Sequence, residues 1–106
     1  MDFIKIAKVT DFEDKYIKSY SIMGKKIGVI RQKDGQFFAI EVGCKHQRAD
    51  LTEGEIDGLI VTCPRHHWKY DLVTGKCLNH ESVDLRRHAL KIEAGDIFIS
   101  LYPAPE

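Results

Sequence analysis

Cys44-Lys45-His46 and Cys63-Pro64-Arg65-His66 each set a thiol and an imidazole a few positions apart, with sixteen residues between His46 and Cys63. A thiolate and a neutral imidazole are both metal ligands. Four of them on two short clamps suit tetrahedral Zn²⁺, or a two-iron cluster with two cysteines on one iron and two histidines on the other. A lone cysteine or histidine is more often explained by packing or a satisfied hydrogen bond. Two such pairs bracketing one stretch of chain are hard to obtain that way. Zinc fingers commonly keep like ligands together, whereas here each clamp carries one of each kind. The mixed pairing favours a two-iron centre, because each loop can then reach both irons; a structural zinc module is the non-redox alternative.

The clamps must be held by strands, because the rest of the chain reads as short apolar segments separated by turn residues. Candidate strands are Phe3 to Val9, Tyr16 to Ile22, Ile27 to Ile30, Gln36 to Val42, Gly58 to Thr62, Trp68 to Val73, Leu85 to Ile92 and Ile97 to Leu101. Gly24, Asp34-Gly35, Thr74-Gly75-Lys76 and Glu93-Ala94-Gly95-Asp96 supply the turns, Asp34-Gly35 being a hairpin signal because both residues tolerate positive φ. One helical turn is expected near Asp11 to Tyr16, capped by Thr10 or Asp11. Pro103 and Pro105 are expected to close the chain in a tail that does not extend a central strand. Strands of this length and spacing predict an all-β antiparallel sandwich or barrel. The stretch from Val42 to Lys76 interrupts that ladder with about 35 residues, more than a plain connection needs. It carries Cys44 and Cys63, with the third cysteine, Cys77, immediately after it, and three of the five histidines.

The 106 residues suffice for one domain and exclude separate cofactor and substrate modules. With 43% hydrophobic and 30% charged residues the composition is that of a soluble globular protein. Sixteen basic residues balance sixteen acidic ones, which speaks against general nucleic-acid binding. No apolar run is long enough to span a bilayer, and the first residues do not read as an export signal. A cytoplasmic protein is expected, and three cysteines in that setting are not a disulfide framework.

Cys44-x-His46, sixteen residues and Cys63-x₂-His66 resemble the signature of Rieske [2Fe–2S] proteins. The residues from Cys44 to Gly54 are similar to the first cluster loop of bacterial Rieske-type ferredoxins. Those from Cys63 to Asp71, with Thr74-Gly75-Lys76, are similar to the second loop and its exit hairpin, and Leu90 to Ile99 fits the final hairpin. The resemblance implies the Rieske iron–sulfur fold over residues 1–106. It divides into a base of residues 1–41 and 78–106 and a cluster-binding subdomain of residues 42–77. It implies Cys44 and Cys63 on the inner iron and His46 and His66 on the outer one. His67 is a competing ligand with the poorer spacing.

The resemblance also bears on potential. High-potential relatives carry a disulfide between the loops, where this chain has Ala49 and Arg65. They also carry a serine at the position of Trp68, while Tyr70 keeps a hydroxyl for a cysteine sulfur. Fewer donors to sulfur place this chain at the low-potential end of the family. Arg48 and His67 stand where many relatives have glycine, a residue that permits positive φ. Lys45, Arg48, Arg65, His67 and Lys69 are a candidate basic docking rim, offset by Asp50, Glu53, Glu55 and Asp57. Cys77 is expected to be a small buried hydrophobe, and His80 and His88 surface or strand-face residues.

The function implied is one-electron transfer by a monomeric ferredoxin, from a flavin-containing reductase to a terminal oxygenase. No membrane or nucleic-acid partner and no substrate chemistry of its own are implied. The small Rieske subunit of a nitrite-reductase-like complex is the other redox alternative.

Overall fold

Alternating side chains along the central strands account for the architecture. In a computed structural model describing residues 3–43, 50–64, 67–81 and 84–103, two antiparallel sheets are present. The strands are β1 (Phe3–Lys8), β2 (Ile17–Ile22), β3 (Lys25–Arg31), β4 (Phe37–Glu41), β5 (Glu55–Asp57), β6 (Ile60–Thr62), β7 (Lys69–Asp71), β8 (Arg87–Glu93) and β9 (Asp96–Pro103). The larger sheet has the order β1-β9-β8-β4-β3-β2 and the smaller one β5-β6-β7. The expected all-β fold is therefore present, and no described helix is long and apolar enough to cross a membrane.

The larger sheet is buried on both faces at its centre, which is why Ile27-Gly28-Val29-Ile30 is a continuous buried run rather than an alternating one. Ile30, Phe38 and Ile40 point to one side, where they pack with Val42, Leu51, Val61, Cys63, Tyr70, Leu72 and Leu85. That cluster joins the larger sheet to the smaller one. On the other side Val29 packs with Ala7, Phe12 and Ile97, and Ile27 with Ala39 and Ile99. Each fully buried aliphatic side chain contributes about 1.5–3 kcal/mol from removal of apolar surface from water. Most of the weight holding the two sheets together thus lies at the base of the Val42–Lys76 stretch. Tyr20, half-buried on β2, has its phenol pushed up by burial, with the Asp11 carboxylate adding to the effect.

Several local expectations are corrected. The helical turn is a 3-10 turn at Val9–Phe12, not at Asp11 to Tyr16. It forms earlier because Phe12 must reach the core and because the Asp11 carboxylate accepts the Lys8 amide at 2.9 Å. The hairpin expected at Asp34-Gly35 does join β3 to β4, with positive φ at Gly35 alone, +87°, and the Asp34 side chain accepting the Gln36 amide at 3.0 Å. The strand expected from Gly58 starts at Ile60, since Gly58 (φ +62°) opens a two-residue turn from a further strand, β5. Pro103 does lie in β9, a central strand, paired with His88. The missing amide is tolerated there because, among the described residues, β1 pairs only as far as Ser100, so that Pro103 has β8 alone as a neighbour. His88 is buried, its ring nitrogens 2.9 Å from the Ser100 carbonyl and from Glu41 Oε2.

Candidate metal centre

The first loop leaves β4 through Val42 and Gly43 and closes on itself. Gly43 bridges Asp50 antiparallel, and the Leu51 amide donates to the Val42 carbonyl at 2.8 Å. Cys44, Lys45, His46, Arg48 and Ala49 lie between these closing contacts, outside the described residues. Beyond them the Asp50 carboxylate caps a 3-10 turn at Leu51–Glu53. It accepts the Thr52 amide at 2.9 Å, the Thr52 hydroxyl at 2.6 Å and the Ser19 hydroxyl of β2. Asp50 is buried, so these three donors offset the cost of holding a carboxylate away from water. Asp50→Ala is expected to cost about 2–3 kcal/mol, a lost cap plus two orphaned hydroxyls, read from urea denaturation of the metal-loaded protein. Asp50→Asn, which keeps an acceptor oxygen, is expected to cost less.

The second loop starts where β6 ends. Cys63 is completely buried. Its amide donates to the Trp68 carbonyl at 2.8 Å, and its carbonyl accepts the His67 amide at 3.0 Å, so the loop is a tight reversal. His66 and Arg65 lie outside the described residues. His67 has φ +62°, the left-handed conformation glycine adopts more readily, and its side chain is exposed. Histidine is among the non-glycine residues found there most often, so His67 is tolerated in this conformation.

The two loop bases are packed against each other. Val42 and Leu51 from the first share one cluster with Cys63 from the second. Gly54, just after the 3-10 turn, touches the backbone entering the second loop: a Cβ there would overlap the Thr62 carbonyl oxygen and stand 3.2 Å from Pro64 Cδ. Tyr70, on β7, is completely buried in the same cluster. Trp68 packs against its edge and stacks on His80, ring centroids 4.7 Å apart at 24°. An exit hairpin follows. The Asp71 carbonyl accepts the Gly75 amide at 2.7 Å, and the Gly75 carbonyl accepts the Leu85 amide at 2.7 Å.

Three residues passed over as candidates matter here. Asp50 was readable as a cap, since Asp50-Leu51-Thr52-Glu53 has capping-box spacing. Gly54 and Asn79 carry no such local signal. Cys77 is half-buried rather than buried, its Sγ 3.7 Å from Asn79 Oδ1. The side chain of His80 is exposed, yet engaged by Trp68. Of the rim residues, His67 and Lys69 are exposed, as are Glu53, Glu55 and Asp57, while Lys45, Arg48 and Arg65 fall outside the described residues.

A buried thiol opening one tight loop, set beside the closed base of a second loop that bears a Cys-x-His pair, suits a group held from two sides. The Rieske [2Fe-2S] domain family matches residues 2–90. This chain belongs to that family. Its group is a [2Fe–2S] cluster, which decides between the iron–sulfur and zinc alternatives.

The Rieske chain is 41% identical over 69 residues to the 3-phenylpropionate/cinnamic acid dioxygenase ferredoxin subunit of Escherichia coli K12, covering 63% of this chain and 65% of that protein. It is 34% identical over 67 residues to the oxygenase component of 3-ketosteroid-9-alpha-monooxygenase from Rhodococcus rhodochrous, covering 63% of this chain but 17% of that protein. The matches thus span less than two thirds of either relative. Among solved structures, a chain in the complex of reduced oxygenase and oxidised ferredoxin of carbazole 1,9a-dioxygenase superposes with TM-score 0.82. It is 26% identical, over 98% of this chain and 97% of that one.

Proposed function

We propose that this Rieske protein is a one-electron carrier, the ferredoxin component of an oxygenase system. In this role it receives electrons from a flavin-containing reductase and delivers them to a terminal oxygenase. The observation carrying the proposal is the pair of closed loop bases packed around buried Cys63, in a chain that superposes nearly end to end on one from a ferredoxin–oxygenase complex. Cys44 and Cys63 would hold one iron, and His46 and His66 the other. When bound, the cluster accepts and releases a single electron, with two imidazoles in place of two thiolates raising its potential above that of all-cysteine clusters.

The protein's own part is to keep the site from moving. Cys63 is shielded from water by Val61, Tyr70 and Leu72, so its thiolate would sit in low dielectric. Asp50 ties the first loop to β2, and the Cys63–Trp68 and His67–Cys63 bonds lock the second. A frame fixed in this way needs little rearrangement when charge arrives or leaves. With Trp68 in place of a hydroxyl donor, the potential falls in the lower part of the family's range.

The chain works as a cytoplasmic monomer that catalyses no substrate reaction itself, binds neither nucleic acid nor membrane, and divides into a base (1–41 and 78–106) and a cluster-binding subdomain (42–77). The test is anaerobic purification from an iron-replete host, followed by assay of acid-labile sulfide and electron-spin resonance. Labile sulfide, a rhombic signal only after reduction, and electron transfer from a flavin reductase to an oxygenase of this class are expected. Colourless, redox-silent protein overturns the proposal.

A further inference from the structure

We propose that Asn79 is a positioning residue for the second cluster loop, its side-chain amide standing in for the next peptide group of a strand. The inference rests on the reading of that loop as a cluster ligand loop. Cys77 bridges Tyr70 antiparallel, and the Leu78 amide donates to the Lys69 carbonyl at 2.7 Å, so the segment after the exit hairpin runs back along β7. The ladder cannot continue on backbone alone, because the chain kinks at His67, where φ is +62°. At that break the Asn79 amide takes over. Its Oδ1 accepts the Lys69 amide at 3.0 Å and its Nδ2 donates to the His67 carbonyl at 3.2 Å. The partners fix which end is which: an N–H must meet the oxygen and a carbonyl must meet the nitrogen.

The consequence is orientation. Pinning the His67 carbonyl outward fixes the plane of the His67–Trp68 peptide, and planarity turns the Trp68 amide to the opposite side. The same bond holds His67 in its left-handed conformation, where a residue with a Cβ is strained. Stacking of His80 on Trp68 anchors the segment one residue further on. Since Asn79 is exposed, water competes for its amide, and its contribution lies in loop geometry more than in overall stability. Only an amide supplies an acceptor and a donor in one plane at this spacing. Aspartate keeps the first and sets a second acceptor against the His67 carbonyl.

The experiment compares loaded wild type with Asn79→Asp, following bleaching by an iron chelator and the electron-spin resonance spectrum of the reduced protein. Asn79→Asp is expected to bleach about fivefold faster, with altered rhombic g values. Ile99→Val, in the larger sheet, is the control for a general loss of stability, expected to leave the spectrum unchanged. Bleaching at the wild-type rate with an unchanged spectrum overturns the inference, and so does an equal effect from Ile99→Val. If Asn79→Asp does not load, Asn79→Ser, which removes both bonds without adding charge, is judged by the same readings. Absence of labile sulfide from wild type would instead defeat the ligand-loop reading. Asn79 is then judged by exchange of the Lys69 amide, which Asn79→Ala must accelerate.

Discussion

Gly54→Ala is expected to lose more than about 4 kcal/mol of stability and most of the bound cluster, although it adds one methyl group. The cause is close approach rather than conformation, since φ at Gly54 is −86° and any residue adopts that value. The added carbon would overlap the Thr62 carbonyl oxygen and stand 3.0 Å from its carbon. Both are backbone atoms of a paired strand, and no rotamer change relieves them. Relief requires the turn at Leu51–Glu53 to move off β6, which separates Val42 and Leu51 from Val61 and Cys63. Overpacking in a core costs about 1–3 kcal/mol where side chains give way, and more where backbone must. For a domain of this size the loss corresponds to a fall in melting temperature of about 15–30 °C. Gly43→Ala is the matched control, because its Cβ would meet only Lys26 Cβ at 3.8 Å, an ordinary contact. Thermal unfolding followed by circular dichroism, with iron content measured beside it, checks the pair. A Gly54→Ala protein within about 1 kcal/mol of wild type and fully loaded would show that the loop bases are not in the contact described.

The sequence disclosed what local chemistry determines. Alternation in Tyr16 to Ile22 and the Gly24 turn placed one hairpin, and the two Cys/His pairs marked the segment that carries the site. What it concealed depends on distant partners. β5 escaped notice because Glu55-Ile56-Asp57 is three exposed residues with a single apolar one, a pattern that becomes a strand only when β6 lies beside it. Gly54 looks like any loop glycine until Thr62 is brought against it. His88 reads as a surface histidine on β8, and its burial follows from Glu41, forty-seven positions earlier, arriving on β4. Asn79 is one polar residue in a polar stretch until the kink at His67 leaves two backbone groups facing it.

His66→Ala is expected to abolish the cluster's visible spectrum, whereas His67→Ala and His67→Gly are expected to retain it. The adjacent imidazoles are chemically equal, so spacing and surroundings decide between them. Cys63-x₂-His66 matches the family signature, and the residues around His67 describe a different task. Its amide is committed to the Cys63 carbonyl and its carbonyl to the Asn79 amide, while its side chain is exposed at φ +62°. A backbone turned left-handed to close the loop is what glycine accomplishes without strain. His67→Gly should therefore hold the cluster at least as well as wild type. His67→Ala keeps the Cβ in the strained region and lacks histidine's tolerance for it, so it should lose about 1 kcal/mol while remaining coloured. If His66 is the ligand proposed above, removing its imidazole would leave an iron short of a ligand, a deficit that the exposed side chain of His67 would not make good without unwinding the loop. Absorbance and labile-sulfide content of the three variants, purified side by side without oxygen, separate the roles. A colourless His67→Ala beside a coloured His66→Ala would transfer the ligand assignment to His67 and require the loop to be wound differently around Cys63.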